Sequence, residues 1–237
     1  MDWKDALSIS FRIYVSSNVT SKLTTSGGNI NLTELAGEQD FTTSGGNLNI
    51  DNVTGKMKGR TSGGNINVKN SSNNMDLTTS GGNINAENCD GEISLVTSGG
   101  NIQLEKLKGN IEATTSGGQV KGKVVSGKLE AHTSGGNVRL SQLSCDLTAS
   151  TSGGNIDVEI DSPGQYVKLS NSGGSINLQL PSGKGYDFRV TGSRVKSENL
   201  GTFKGKIDED ELNGTVNGGG IMVSVRASSG RVNVSMK

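Results

Sequence analysis

The chain has 237 residues, 30% hydrophobic, 3% aromatic and 19% charged, with 23 basic against 23 acidic side chains and 36 Gly. Balanced charge with no long basic run argues against an electrostatic binder of nucleic acid or membrane surface, and no apolar stretch approaches the roughly 20 residues that span a bilayer. The hydrophobic share alone reads as disorder, but adding Gly lifts it to roughly 45%, the ordinary value for folded domains, so the surplus Gly needs an explanation.

The opening MDWKDALSISFRIYV lacks a basic segment followed by an apolar one, so no signal peptide is visible there. A strand-like run begins by Leu7 to Val15, and Phe11 to Val15 and Lys22 to Thr25 read as strands joined at Ser16 to Val19. Residues 1–24 are expected to form N-terminal capping strands.

From Thr25 the chain repeats. Thr-Ser-Gly-Gly starts at Thr25, Thr43, Thr61, Thr79, Thr97, Thr115, Thr133 and Thr151, always at the same interval. With Thr as position 1, positions 6, 8, 11, 15 and 17 are mostly aliphatic. Spacings of two within the apolar pairs mean strand, and no helical period competes. A second Gly recurs at position 13, as in Gly37, Gly55, Gly91, Gly109 and Gly127. Each unit is then two turns and two short strands, with Gly at corners because it takes positive φ without steric cost. Such a unit cannot bury its apolar face alone, whereas stacked units can.

The expected fold is therefore all-β, a parallel β-solenoid of 18-residue rungs about 4.8 Å apart. The right-handed single-stranded β-helix is its expected form, although the spacing leaves the hand and the number of sides open. Its structural repeat residues are typified by Ser26, Gly27, Gly28, Asn29 and Ile30, and by Ser98, Gly99, Gly100, Asn101 and Ile102. The Asn at position 5 is expected to hydrogen-bond from rung to rung as stacked amides do. The invariant Ser at position 2 is expected to tie down the turn. Ser71, Asn73 and Gly122 break the pattern and mark the loosest places, a lost aliphatic removing burial of roughly 1.5 to 3 kcal/mol.

Residues 25–160 thus read as eight rungs, and residues 161–237 as irregular terminal rungs with a C-terminal cap, all in one continuous domain. Asn171-Ser-Gly-Gly174 arrives later than the period requires, and related turns appear at Asn217 to Gly220 and Ser228 to Gly230. Only Phe41 among the aromatics lies inside the eight rungs; Trp3, Phe11, Tyr14, Tyr166, Tyr186, Phe188 and Phe203 flank them. A solenoid needs caps at both ends because an open terminal rung is an unpaired edge.

Little of this carries chemistry. His132 is the single histidine, so no His-containing metal cluster can form within one chain, and it reads as a solvated strand residue. Cys89 at position 11 and Cys145 at position 13 stand three rungs apart, too far for a disulfide, and are expected to be free thiols. The turns carry Asn where a calcium-binding nonapeptide needs Asp. Asp208 to Glu211 reads as a solvated acidic loop. Asp157, Glu159 and Asp161 share a strand face, where paired carboxylates could do acid–base work, but Arg139 and Lys123 at matching positions make cross-rung ion pairs the economical explanation. Pro181 to Gly185 does not match a phosphate-binding loop.

The TSGGNI units, preceded by FRIYV and followed by YVKLSNSGGSINLQLPSGKGYDFRV and LNGTVNGGGIMVSVRASSGRVNVSMK, resemble a bacterial family of predicted adhesins, a domain of unknown function built of β-strand repeats. The resemblance covers Ser8 to Met236. It implies an extracytoplasmic or cell-envelope β-helix and brings no shared catalytic residues.

Together these readings lead to a non-catalytic envelope protein, an adhesin or interaction scaffold without cofactor or metal, whose partner is a cell-surface protein or glycan rather than nucleic acid and which has no membrane-inserted part. A polysaccharide-binding or polysaccharide-active β-helix is the first alternative; against it, the rungs offer no aromatic platform and no cluster of Asp, Lys and Arg projecting from one groove. An ice-binding solenoid is the second, weakened by the missing Thr-x-Thr spacing.

Overall fold

The computed structural model describes residues 10–237 and is built from a 21-stranded sheet wound into a parallel β-solenoid. The first part consists of β1 (Ser21–Thr25), β2 (Ile30–Thr33), β3 (Ala36–Thr43), β4 (Leu48–Asp51), β5 (Thr54–Thr61), β6 (Ile66–Lys69), β7 (Ser72–Thr79), β8 (Ile84–Glu87) and β9 (Asp90–Thr97). In the next rungs the two strand stretches merge into β10 (Ile102–Thr115), β11 (Val120–Thr133) and β12 (Val138–Thr151). The remainder is β13 (Ile156–Ile160), β14 (Tyr166–Asn171), β15 (Ile176–Leu180), β16 (Tyr186–Thr191), β17 (Arg194–Glu198), β18 (Phe203–Ile207), β19 (Glu211–Val216), β20 (Ile221–Ala227) and β21 (Arg231–Met236). No helix among the described residues is long and apolar enough to cross a membrane.

The pairing register is the sequence period. Ile102 pairs with Val120 and Val120 with Val138, one period on each time. Positions 6, 8, 11, 15 and 17 face inward in nearly every rung and form one continuous core. Packing across rungs is complementary: Gly59 leaves the space that Phe41, fully buried, fills, since a Cβ there would stand 2.4 Å from the ring.

The corners answer why Gly is abundant, and for two different reasons. Position 13 needs the left-handed region, with φ from 103° at Gly127 to 121° at Gly91. Position 4 needs clearance instead: a Cβ on Gly100 would lie 1.9 Å from the carbonyl oxygen of Gly82 one rung below, whereas on Gly99 its nearest neighbour is 3.6 Å away. A third corner is invisible in composition. Position 10 is left-handed in Glu34, Asn52, Asn70, Asn88, Lys106, Val124 and Gln142, with φ between 49° and 56°.

Thr at position 1, not Ser at position 2, is the side chain that ties the turn. The Thr115 hydroxyl donates to the Gly100 carbonyl at 2.8 Å and accepts from the Gly118 amide at 3.3 Å. Thr43, Thr61, Thr79, Thr97, Thr133 and Thr151 do the same. Ser98 is exposed and serves through its backbone carbonyl, which accepts from Gly117. Thr prevails because position 1 points inward, where an unpaired turn carbonyl is costly. Asn171 replaces Thr and reproduces both bonds, donating to Gly154 and accepting from Gly174.

The amide stacking also takes a different form. At position 5 the side-chain oxygen accepts a backbone N–H from the next rung, as from Asn29 to Asn47 and from Asn101 to Gln119. The amide-to-amide ladder runs at position 7 instead, from Asn31 through Asn49 and Asn67 to Asn85.

Of the three places expected to be loose, two are filled. Leu140 and Leu104 lie over Gly122, and the buried Ser71 hydroxyl donates to Lys69 and accepts from Val53. Asn73 alone keeps a cost, holding φ of 86° where five other rungs have Gly37, Gly55, Gly91, Gly109 and Gly127. Cys145, at a Gly position, points inward without positive φ.

The two ends differ. Phe11 to Val15 forms no strand and its apolar side chains are exposed, contrary to the strand expected there, whereas the strand expected at Lys22 to Thr25 is β1; Trp3 and Leu7 lie outside the described residues. The core beneath is closed by Gln39, fully buried at position 15, whose amide donates to the Val19 carbonyl at 2.6 Å and accepts from Ser21. At the C-terminal end the stacking order departs from the chain order. β20 and β21 return past β16 to β19 and stack on β14 and β15, Asn171 facing Ala227 and Ile176 facing Val232. β16 and β17 then lie outside them, and an antiparallel hairpin of β18 and β19 covers β16. Tyr186 and Phe188 are buried there with ring centroids 5.7 Å apart.

Candidate binding groove

Outward side chains at positions 7 and 9 form two ridges along the face carrying the first halves of β10 to β12 and then β13, β15, β21 and β17. Between them runs a groove of about 920 Å³, from Gln103 and Glu105 to Lys196 and Glu198. Its floor is the backbone of position 8, whose side chains Leu104, Leu140 and Val158 are turned into the core. The parallel register places these residues together, since each rung brings the same two positions to the same face.

The groove gathers Lys121, Lys123, Arg139, Asp157, Glu159 and Lys196. This overturns the expectation that no cluster of Asp, Lys and Arg projects from one groove. Positions 121 and 123, 139 and 141, 157 and 159 are adjacent cells of one column pair, so the residues matched across rungs as ion-pair partners also line one cleft.

The carboxylates are held. Asp157 lies 3.7 Å from Arg139 Nε and accepts from Asn177 at 2.7 Å. Glu159 does not reach Lys123; it and Asp161 are bound by Lys237, whose ammonium is held above its ordinary range by hydrogen bonds to Glu159 and then Asp161. Arg139 also donates to Gln119 at 3.4 Å. Lys121 and Lys123, both exposed, make no ion pair among the described residues.

Other candidates stand apart. His132 Nδ1 is 2.8 Å from Ser150 Oγ, with Glu130 at 4.0 Å, so it is partnered along its own face. Cys89 and Cys145 are free and buried, and burial raises both thiols, Cys145 to about 12, so neither is a ready thiolate. Asp208 belongs to the turn between β18 and β19, paired with Lys206, while Glu209 meets Arg194 at 3.6 Å. Ser26, Gly27, Gly28 and Asn29, like Ser98, Gly99, Gly100 and Asn101, build corners outside the groove lining, and Ile30 and Ile102 open β2 and β10 with their side chains in the core. No group of three metal-binding side chains is gathered among the described residues.

The Toastrack DUF4097 family model matches residues 91–235, which takes in the groove and all the C-terminal strands. No curated protein matches the chain. No solved structure matches it either. With more than half its length matched, the chain belongs to the Toastrack DUF4097 family, a solenoid domain of unknown function.

Proposed function

We propose that this chain is a non-catalytic, extracytoplasmic interaction rod, an adhesin or scaffold that presents its groove to a cell-surface glycan or protein. The observation that carries the reading is the division of charge in the groove. Its central carboxylates, Asp157 and Glu159, are paired with Arg139 and Lys237, while Lys121 and Lys123 are available to an anionic partner. Around them Gln103, Asn177, Gln179 and Asn233 supply amides for hydroxyl groups.

Calorimetric titration with acidic and neutral polysaccharides tests this. The acidic chain is expected to bind, and the double substitution K121E/K123E to weaken it by about tenfold, or 1.4 kcal/mol. Retention by neither class would remove the glycan partner. A polysaccharide-active solenoid is favoured by the same residue cluster, and release of new reducing ends during the titration would establish it in place of the non-catalytic reading.

A further inference from the structure

Phe11 to Val15 has the pattern of a buried strand and is not used as one. Phe11, Ile13 and Val15 alternate with Arg12 and Tyr14, yet Phe11 is 87% exposed, Ile13 73% and Val15 52%. Immediately beyond it the rod has an open edge: β2 pairs with β4 and β1 with β3, and neither has a second neighbour among the described residues. An exposed apolar segment beside an edge that is unpaired among the described residues is a combination that proteins ordinarily cover.

The reason the segment does not cover its own edge lies in its phase. Asn18 bridges Ala36 and Ser21 pairs with Gln39, so the periodic register is already set at Asn18. Carried back, it places Arg12 against Ile30 and Tyr14 against Leu32, turning Arg12 and Tyr14 inward and Phe11, Ile13 and Val15 outward. A slip of one residue would reverse every side chain. Only Ser16 and Ser17 separate Val15 from the bridge, too short a link to absorb the slip.

A second copy removes that constraint, because its β2 edge is not tethered to the incoming strand. We infer that the N-terminal end of the rod is a self-association surface, where Phe11 to Val15 of each copy adds to the β2 edge of the other with Ile13 and Val15 turned onto Ile30 and Leu32. The exchange is reciprocal and closes as a two-fold dimer. It does not propagate, since each copy's segment and β2 edge are both used within the pair. The surface is separate from the groove and independent of what the groove binds.

Sedimentation equilibrium of the full chain over a wide concentration range is the direct test, with F11K/I13K as the variant. Both side chains are exposed in the single rod, so circular dichroism should stay unchanged while the dimer is replaced by monomer and the thermal midpoint loses its dependence on protein concentration. The Y14C/N31C chain should give a disulfide-linked dimer on a non-reducing gel, the native Cys89 and Cys145 being buried. A monomer at every concentration, a dimer indifferent to F11K/I13K, or a Y14C/N31C disulfide closed within one chain would overturn the inference.

Discussion

The eight regular rungs and the C-terminal region use the same core and the same Gly clearance at the corner but assemble by different rules. In the rungs each strand stacks on its counterpart one period earlier, so a neighbour in space is also the next copy in sequence. In the C-terminal region β20 and β21 are inserted between strands that precede them in the chain, β14 and β15 on one side and β16 and β17 on the other. Stacking geometry therefore does not require consecutive connection; it requires only that an arriving strand carry the right corner. Ser229 and Gly230 supply that corner. The Ser229 hydroxyl bonds the Ser172 carbonyl at 2.7 Å, and a Cβ on Gly230 would stand 1.8 Å from the Gly174 oxygen, the same zero clearance as inside the rungs.

The strongest way to break the comparison is to remove that clearance in both regions. Gly100→Ala should cost about 3 kcal/mol or more, with Gly99→Ala within about 0.5 kcal/mol as its control, both read from urea unfolding. Gly230→Ala should cost as much as Gly100→Ala. A small effect at Gly230 would mean that β20 and β21 do not stack as rungs.

Next in size is the latch. Thr115→Val leaves a buried carbonyl and amide without their hydroxyl and should lose about 1 to 3 kcal/mol, while Ser116→Ala, at the exposed neighbour, should be close to silent. A smaller effect of opposite sign is expected at position 10. Val124 holds φ of 56° although β-branched, so Val124→Asn should raise stability by about 1 kcal/mol, the cost of the left-handed region for an ordinary residue.

The smallest change is one of order rather than energy. Cys145 lies at the seam between the regions, its carbonyl accepting from Gly164 at 3.0 Å, while Cys89 is well inside the rod. In rising urea Cys145 should label before Cys89 if the C-terminal region opens first, and simultaneous labelling would make the two regions one cooperative unit. Because burial lifts the Cys145 thiol from 9.0 to about 12, its contribution to stability is complete below pH 9.0 and is lost as pH rises toward 12.

What could be read in the sequence follows the same division. The rungs were legible because one corner of each repeats the mark Thr-Ser-Gly-Gly at a constant interval, and a period of two between marks assigns faces without further information. The inward role of Thr was hidden because Thr and Ser are both invariant and either could cap the turn; only the inward direction of position 1 separates them. The position 10 corner was hidden for the opposite reason, since Glu, Asn, Lys, Val and Gln all occupy it at the exposed tip. In the C-terminal region Tyr-Asp-Phe-Arg-Val and Ile-Met-Val-Ser-Val-Arg both alternate, so periodicity finds β16 and β20 but cannot say which lies outside the other. The groove was hidden because the charged neighbours at positions 7 and 9 were read as ion pairs across rungs and not also as the walls of a cleft.

The inserted strand also decides how the rod bears load. Force applied through Lys237 acts on β21, which is flanked by β15 and β17 and anchored by the Lys237 contacts to Glu159 and Asp161. Traction along that strand must shear two ladders of hydrogen bonds together, whereas a terminal rung in chain order would peel from one side, bond by bond. A tether at that end would grip the rod from within.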